Sequence, residues 1–246
     1  MTYAPLPADR FAEGDFRVGR VLGRTSSVFS RNFLNFFVVT AIASLPTKGL
    51  IDAPDNRVLA LLLVGFSLFL AIALSTLSQA IVLYGAFQDM RGRPVDLGES
   101  VRVGLRRFFP IIGLAVSVTL LGIFGLVLFV VPGLIWFTMW FVATPACIVE
   151  GLGVSRSMER SEQLTRGHRW KIFGTIALLI MTDSIVDKWI DQILGAAASG
   201  IPALAGHVIW SGIWGAFYAI FAVVTYHDLR VAKEGVDTEQ IAAVFE

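Results

Sequence analysis

Thirty consecutive residues, from Val58 to Phe87, carry no charge, and a second uncharged stretch of 42 residues runs from Phe108 to Val149. In water such runs would leave apolar surface that nothing covers. A bilayer takes them readily, at about 20 apolar residues per helical crossing. Inside the hydrocarbon every backbone polar group must be paired within the chain, which leaves helices or closed barrels. The runs lack the strict alternation of barrel strands, so helices are expected. Composition agrees: 16% of the residues are charged, against about 25% in a soluble domain, and the mean hydropathy is +0.71. The expected fold is all-α, a polytopic transmembrane helix bundle.

The apolar runs divide into six expected spans. The first covers 33–48, a short one that Lys48 can lengthen by snorkelling. The second covers 58–87 and exceeds what the bilayer needs, which implies tilt or protrusion. The uncharged stretch after Phe108 is too long for one crossing. Pro132-Gly133 is its natural break, because proline removes a backbone donor and glycine permits a turn. Spans 108–131 and 134–149 follow. A fifth covers 170–186, losing purely apolar character at Asp183, and a sixth covers 202–226. The arrangement is six spans as three hairpins. It gives an N-terminal tail (1–32), a transmembrane domain (33–227) and a C-terminal tail (228–246).

Charge sets the expected orientation. Of the twenty lysines and arginines, seventeen fall on one side of this scheme. They lie in the N-terminal tail, in the segments 91–107 and 156–171, and in the C-terminal tail. Only Lys48, Arg57 and Lys188 fall on the other. The positive-inside rule places the seventeen, and both termini, in the cytoplasm. The first thirty residues hold no long apolar stretch, so no cleavable leader is expected.

The cytoplasmic segments read as short amphipathic helices. Val18, Val21, Leu22, Val28 and Phe29 recur at helical spacing, with Arg17, Arg20, Arg24 and Arg31 largely on another face. This is the pattern of a helix lying on a membrane surface. Asp96 followed by Glu99 reads as a capping pair, opening a helix with Leu97, Val101 and Leu105 on one stripe. A third helix is expected over 154–165, with Gly167 as its stop. Each precedes a basic-aromatic junction: Arg31-Asn32-Phe33, Arg107-Phe108-Phe109 and Arg169-Trp170. Two readings of this pattern stand: a threefold parallel repeat, or what any set of hairpins with basic loops looks like. The residues expected near lipid phosphates are Arg17, Arg20, Arg24, Arg106, Arg107, Arg166 and Arg169.

Few residues offer chemistry. Asp183, Asp187 and Asp191 form one acidic stripe at i, i+4, i+8. The bland reading is a helix leaving the hydrocarbon at Asp183, its stripe exposed at the outer surface. The sharper one is a cation path into the bundle, which carries the cost of buried charge. His207 stands alone near the outer end of the last span, with no partner nearby in sequence, and reads as a hydrogen-bonded interhelical or interfacial histidine. Glu150 closes the fourth span and is expected to pair with a basic residue. Gln79 can hydrogen-bond between helices, and Ser211, Gly212, Gly215 and Ala216 have small-residue spacing for close approach. Gly122 and Gly125 lie within a span with no evident role. Cys147, the single cysteine, sits in an apolar run and reads as a packed small hydrophobe. No nucleophile elbow, phosphate loop or zinc spacing occurs, and no cofactor or metal is expected. The net charge of +1 argues against a nucleic-acid partner.

From the fourth span onward a family pattern is visible. It comprises Pro132-Gly133-Leu134, Trp140, Pro145, Glu150-Gly151, Arg160-Ser161, Leu164-Thr165, Gly167, Arg169-Trp170 and Phe173-Gly174. Near the end come Tyr226, Asp228-Leu229-Arg230, Lys233-Glu234-Gly235 and Asp237. This resembles the membrane domain of bacterial glycerophosphodiester phosphodiesterases and related stand-alone membrane proteins, most strongly over 130–240. The resemblance implies a bacterial inner-membrane location and no enzyme. In the fused proteins the phosphodiesterase chemistry belongs to a separate barrel of about 250 residues, for which this chain has no room. His168-Arg169 echoes the start of that enzyme's motif without its carboxylates. The expected function is a non-enzymatic scaffold or accessory protein engaging anionic membrane lipids, or a protein partner, through basic helices. The alternative is a small permease or lipid transporter. The topology has a direct check. Cysteines introduced at positions 14, 96, 160 and 240 should be protected from an impermeant outside reagent, and one at position 54 should react; reaction at both 54 and 96 overturns it.

Overall fold

The computed structural model describes residues 16–48, 57–128, 130–197 and 201–234. The first fifteen residues of the expected N-terminal tail, the expected outer loop at 49–56 and the end of the C-terminal tail lie outside the described residues. Among the described residues there are ten helices and no strand. They are α1 (Val18–Arg31), α2 (Phe33–Lys48), α3 (Arg57–Met90), α4 (Leu97–Arg106), α5 (Phe108–Leu128), α6 (Val130–Met139), α7 (Ala143–Val149), α8 (Val154–Thr165), α9 (Arg169–Ala197) and α10 (Ile201–Glu234).

Among the described residues three helices are long and apolar enough to cross a membrane: α3 over Val58–Met90, α5, and α10 over Leu204–Glu234. A fourth candidate arises if α1 and α2, bent by 88° at their junction, are counted as one span. The helices by themselves therefore support three or four crossings, where the sequence led us to expect six. At 1.5 Å per residue, α2 is about 24 Å long and α6 about 15 Å, both short of a roughly 30 Å core. α9 begins apolar but carries Asp183, Asp187, Lys188 and Asp191 in its second half.

Pro132-Gly133 is not the break between the third and fourth expected spans. It lies in the first turn of α6, which starts at Val130, where a missing N–H costs no helical bond. α5 ends at Leu128 and α6 starts at Val130, and a further interruption at 140–142 separates α6 from α7. Gly133 serves close packing. A Cβ there would sit 2.5 Å from the Leu126 backbone nitrogen. Gly122 and Gly125 do the same from α5, because side chains there would collide with the rings of Phe137 and Trp136. Three small residues thus let α5 and α6 pack side by side.

α10 is the pillar of the molecule. It contacts α1, α2, α3, α7, α8 and α9. From Ala219 to Tyr226 every residue is buried, followed by Asp228 and Leu229. The helix continues unbroken to Glu234, so the expected C-terminal tail begins as part of it. Its small-residue stretch is used within the chain. Gly212 faces Phe37 and Ala41 of α2, and its carbonyl accepts the Thr40 hydroxyl at 2.6 Å.

Replacing Gly133 by Val should disturb the α5–α6 pair by about 1–3 kcal/mol, the usual cost of overpacking. Gly174, with open space around its Cα, is the control. Thermal unfolding in detergent should show a clear loss for G133V and little for G174A.

Candidate lipid-facing site

Two polar layers are built on α10, one near Tyr226 and one near His207. Nineteen helical residues separate them, about 28 Å at 1.5 Å per residue, close to the thickness of a hydrocarbon core.

The layer at Tyr226 forms the basic end. The Tyr226 hydroxyl donates to Glu150 Oε1 at 2.6 Å. Arg160 Nε donates to both oxygens of Glu150, at 2.8 and 3.1 Å, and the same guanidinium pairs with Glu234. Burial works against the Arg160 charge, but the two carboxylates outweigh it and hold the guanidinium above its ordinary pKa. Arg230 Nε reaches Glu234 at 2.9 Å, and Arg24 of α1 reaches Asp228 at 2.8 Å. Glu150 thus pairs with a basic residue, as the sequence suggested.

The layer at His207 forms the acidic end. His207 Nδ1 lies 3.2 Å from Asp187 Oδ1, and Nε2 lies 2.9 Å from Asp191 Oδ1. The Trp210 indole donates to Asp183 Oδ1 at 2.9 Å. All three carboxylates of the stripe therefore meet polar tips of α10. The stripe is a seam between α9 and α10, although Asp187 and Asp191 keep exposed surface. His207 is thus a hydrogen-bonded interhelical histidine, as expected, with its partners on α9 and not among its sequence neighbours.

The three amphipathic helices are present, but they face different ways. The apolar face of α1 is inside the protein: Val21, Thr25 and Val28 are buried, and the helix packs on α10. This corrects the expectation that this face lies in the membrane surface. Arg31 Nη2 is 2.5 Å from Asp89 Oδ2, and Asn32 Nδ2 donates to the other oxygen of that carboxylate at 3.0 Å. Arg17 is exposed and Arg20 partly so. α4 is capped as expected, with Asp96 Oδ1 accepting the Glu99 N–H at 3.1 Å. It presses Ser100 and Gly104 inward, and a Cβ at Gly104 would sit 3.1 Å from Leu77 of α3. Its apolar stripe is turned outward. Val101 and Leu105 are exposed, and the stripe continues into Phe109, 82% exposed, at the start of α5. Arg102 and Arg106 flank it, also exposed. Arg107 points back into the protein and donates to the Gly151 carbonyl at 2.7 Å.

α8 occupies the expected span and ends at Thr165, followed by Gly167, whose φ of +91° explains the glycine. Ser161 of α8 donates to the Met139 carbonyl at 2.7 Å, which fastens α8 to the end of α6. Arg166, Arg169 and Trp170 are thereby carried to the flank of α6. They line a cavity of about 400 Å³ together with Leu134, Ile135, Thr138 and Phe173. Leu134, Thr138 and Phe173 also line a larger cavity, of about 760 Å³, that extends among α3, α5, α9 and α10. The larger cavity is mostly apolar, with Gln79, Thr119, Thr144 and Tyr218 as further polar lining. A third recess, of about 330 Å³, is lined by Arg106 and Arg107 but also by Glu150 and Tyr84. The sequence supplied Arg166 and Arg169 as candidates. It did not supply their apolar neighbours on α6, which depend on the path of α8.

Among the described residues no group of three or more His, Cys, Asp or Glu is placed to hold a metal ion. No family model, no curated protein and no solved structure matches the chain.

The seam at His207 yields a stability prediction. Trp210→Phe removes one hydrogen bond and should cost about 0.5–1.5 kcal/mol. His207→Ala should cost more, because it frees two carboxylates at once. Thermal unfolding in detergent checks both, and melting temperatures equal to wild type would show that the seam adds nothing.

Proposed function

We propose that the chain is a multi-pass protein of the bacterial cytoplasmic membrane that acts as a non-enzymatic scaffold or accessory, engaging anionic lipid at the inner leaflet. In this reading the basic end faces the cytoplasm, with both termini. The chain passes six times, through α2, α3, α5, the interrupted pair α6–α7, α9 and α10. The 28 Å spacing of the two polar layers supports a bundle of membrane thickness. The resemblance over 130–240 to the phosphodiesterase membrane domain supports a role outside catalysis.

The observation that carries the proposal is the outward stripe of α4. Val101 and Leu105 are exposed on a helix whose other face is locked against α3, and the exposed Phe109 continues the stripe at the start of α5. In an interface those apolar side chains enter the headgroup boundary while Arg102 and Arg106 meet lipid phosphates. Each basic residue near an anionic leaflet is worth about 1 kcal/mol, less at high salt. Because α1, α4 and α8 are fastened to the bundle, the basic surface is a fixed platform and not a set of swinging loops.

The cavities favour the second reading, a permease or lipid transporter. Their lining is largely apolar with scattered hydroxyl and amide groups, which suits an amphiphile better than a hydrated ion.

Site-directed quenching tests the proposal. A fluorophore on Leu105→Cys in reconstituted vesicles should be quenched by brominated anionic phospholipid, and one on Val28→Cys should not. Equal quenching at both sites, or none at position 105, contradicts it.

A further inference from the structure

The structure assigns a binding site for one anionic phospholipid to the two adjoining cavities between α6 and α9, with the phosphate on Arg166 and Arg169 and an acyl chain in the apolar part. The assignment rests on the reading above in one respect, that the basic end of the bundle lies at lipid headgroups.

The arginines differ in how they are occupied. Arg24, Arg31, Arg107 and Arg160 are each bound by an acceptor of the chain itself. Arg166 is exposed and has no carboxylate partner among the described residues. Arg169 reaches Glu162 only at 3.6 Å, beyond hydrogen-bond length. Its Nε is buried with no hydrogen-bond partner. A buried donor left in that state is costly, and an acceptor supplied from outside relieves it. A phosphate is the acceptor whose geometry and charge suit two guanidinium groups. Arg169 is also the first residue of α9, where the free N–H groups of a 29-residue helix add positive field. The recess at Arg106 and Arg107 is the weaker candidate, because Glu150 lines it and Arg107 is already engaged.

The apolar part fits the other half of the ligand. The exposed Trp170 flanks the arginines, as an interfacial aromatic does. From Arg169 to Met181, the far lining residue on α9, the helix advances about 18 Å. The site thus runs from the level of Tyr226 into hydrocarbon depth. Leu134, Thr138 and Phe173 line both cavities, so the charged mouth adjoins the apolar chamber. A soluble phosphate ester would leave the chamber empty, and an uncharged lipid would leave the arginines unanswered. A phospholipid with net negative charge meets both.

The test uses the intact protein in vesicles containing phosphatidylglycerol with a photoreactive diazirine on its acyl chain. Phosphatidylcholine with the same chain is the comparison. Labelling is expected to concentrate in peptides spanning 134–138 and 173–181, at least tenfold above that with phosphatidylcholine. Arg166→Gln with Arg169→Gln should reduce it at least tenfold, and Arg93→Gln with Arg156→Gln, which remove the same charge from exposed positions, should leave it unchanged. Label spread equally over the exposed face of α3 from Val58 to Phe69, or indifference to headgroup, would mean annular lipid only and overturn the site. So would labelling that survives loss of the two arginines, or that depends equally on Arg93 and Arg156. If the double variant fails to fold, the comparison of headgroups on the wild-type chain still decides. Failure here with quenching intact at position 105 removes the site and leaves the platform; failure at position 105 alone does the reverse.

Discussion

The carboxylate of Glu150 holds the basic end of the molecule together. It accepts the Tyr226 hydroxyl and the Arg160 guanidinium at once, so the end of α7, the middle of α8 and the base of α10 meet at one group. Glu234 extends the set from the same guanidinium to Arg230. In a partly dry setting such a network is strong only when each member is satisfied, and loss of one partner exposes the others to the cost of unpaired burial. The surface helices are therefore an integral layer of the fold, whose geometry is inherited from α10.

Small residues set how closely the rest can gather around that helix. Hydrophobic driving force between helices is weak in lipid, and close backbone approach takes its place. Gly212 lets α2 reach α10, Gly104 lets α4 reach α3, and Gly122, Gly125 and Gly133 bring α5 against α6. The pairs so formed are tight, and the adjoining cavities lie where, among the described residues, no such glycine draws α9 toward α5. Void and contact follow from one rule applied along the chain.

Much of this was legible in the residues. The bounds of α8 follow from its flanking glycines, the start of α4 from Asp96, and the length of α3 from an unbroken apolar run. The basic residues that matter at the cavity mouth were visible as a cluster. Three things were not legible, each for a physical reason. Helical periodicity shows that the Val21–Val28 face of α1 must be covered but not whether by lipid or protein, and α10 covers it. The partners of Asp187 and Asp191 lie on the next helix, where only the antiparallel register of α9 and α10 can reveal His207. Helix α6 begins ahead of Pro132-Gly133 because proline fits a first helical turn as well as it fits a break.

The right-angle junction of α1 and α2 has a mechanical meaning. α1 is a crossbar about 21 Å long, set at 88° to the rod it belongs to. It is riveted at the corner by Arg31, with the neighbouring Asn32, to Asp89, and at its midpoint by Arg24 to Asp228. A rod alone can spin about its axis and slide along it at little cost. A rod with a fixed crossbar can do neither, because rotation would sweep the bar off α10 and sliding would shear both rivets. The short helix α2, too brief to be anchored by its own length, is thus held in azimuth and in depth by the segment that precedes it.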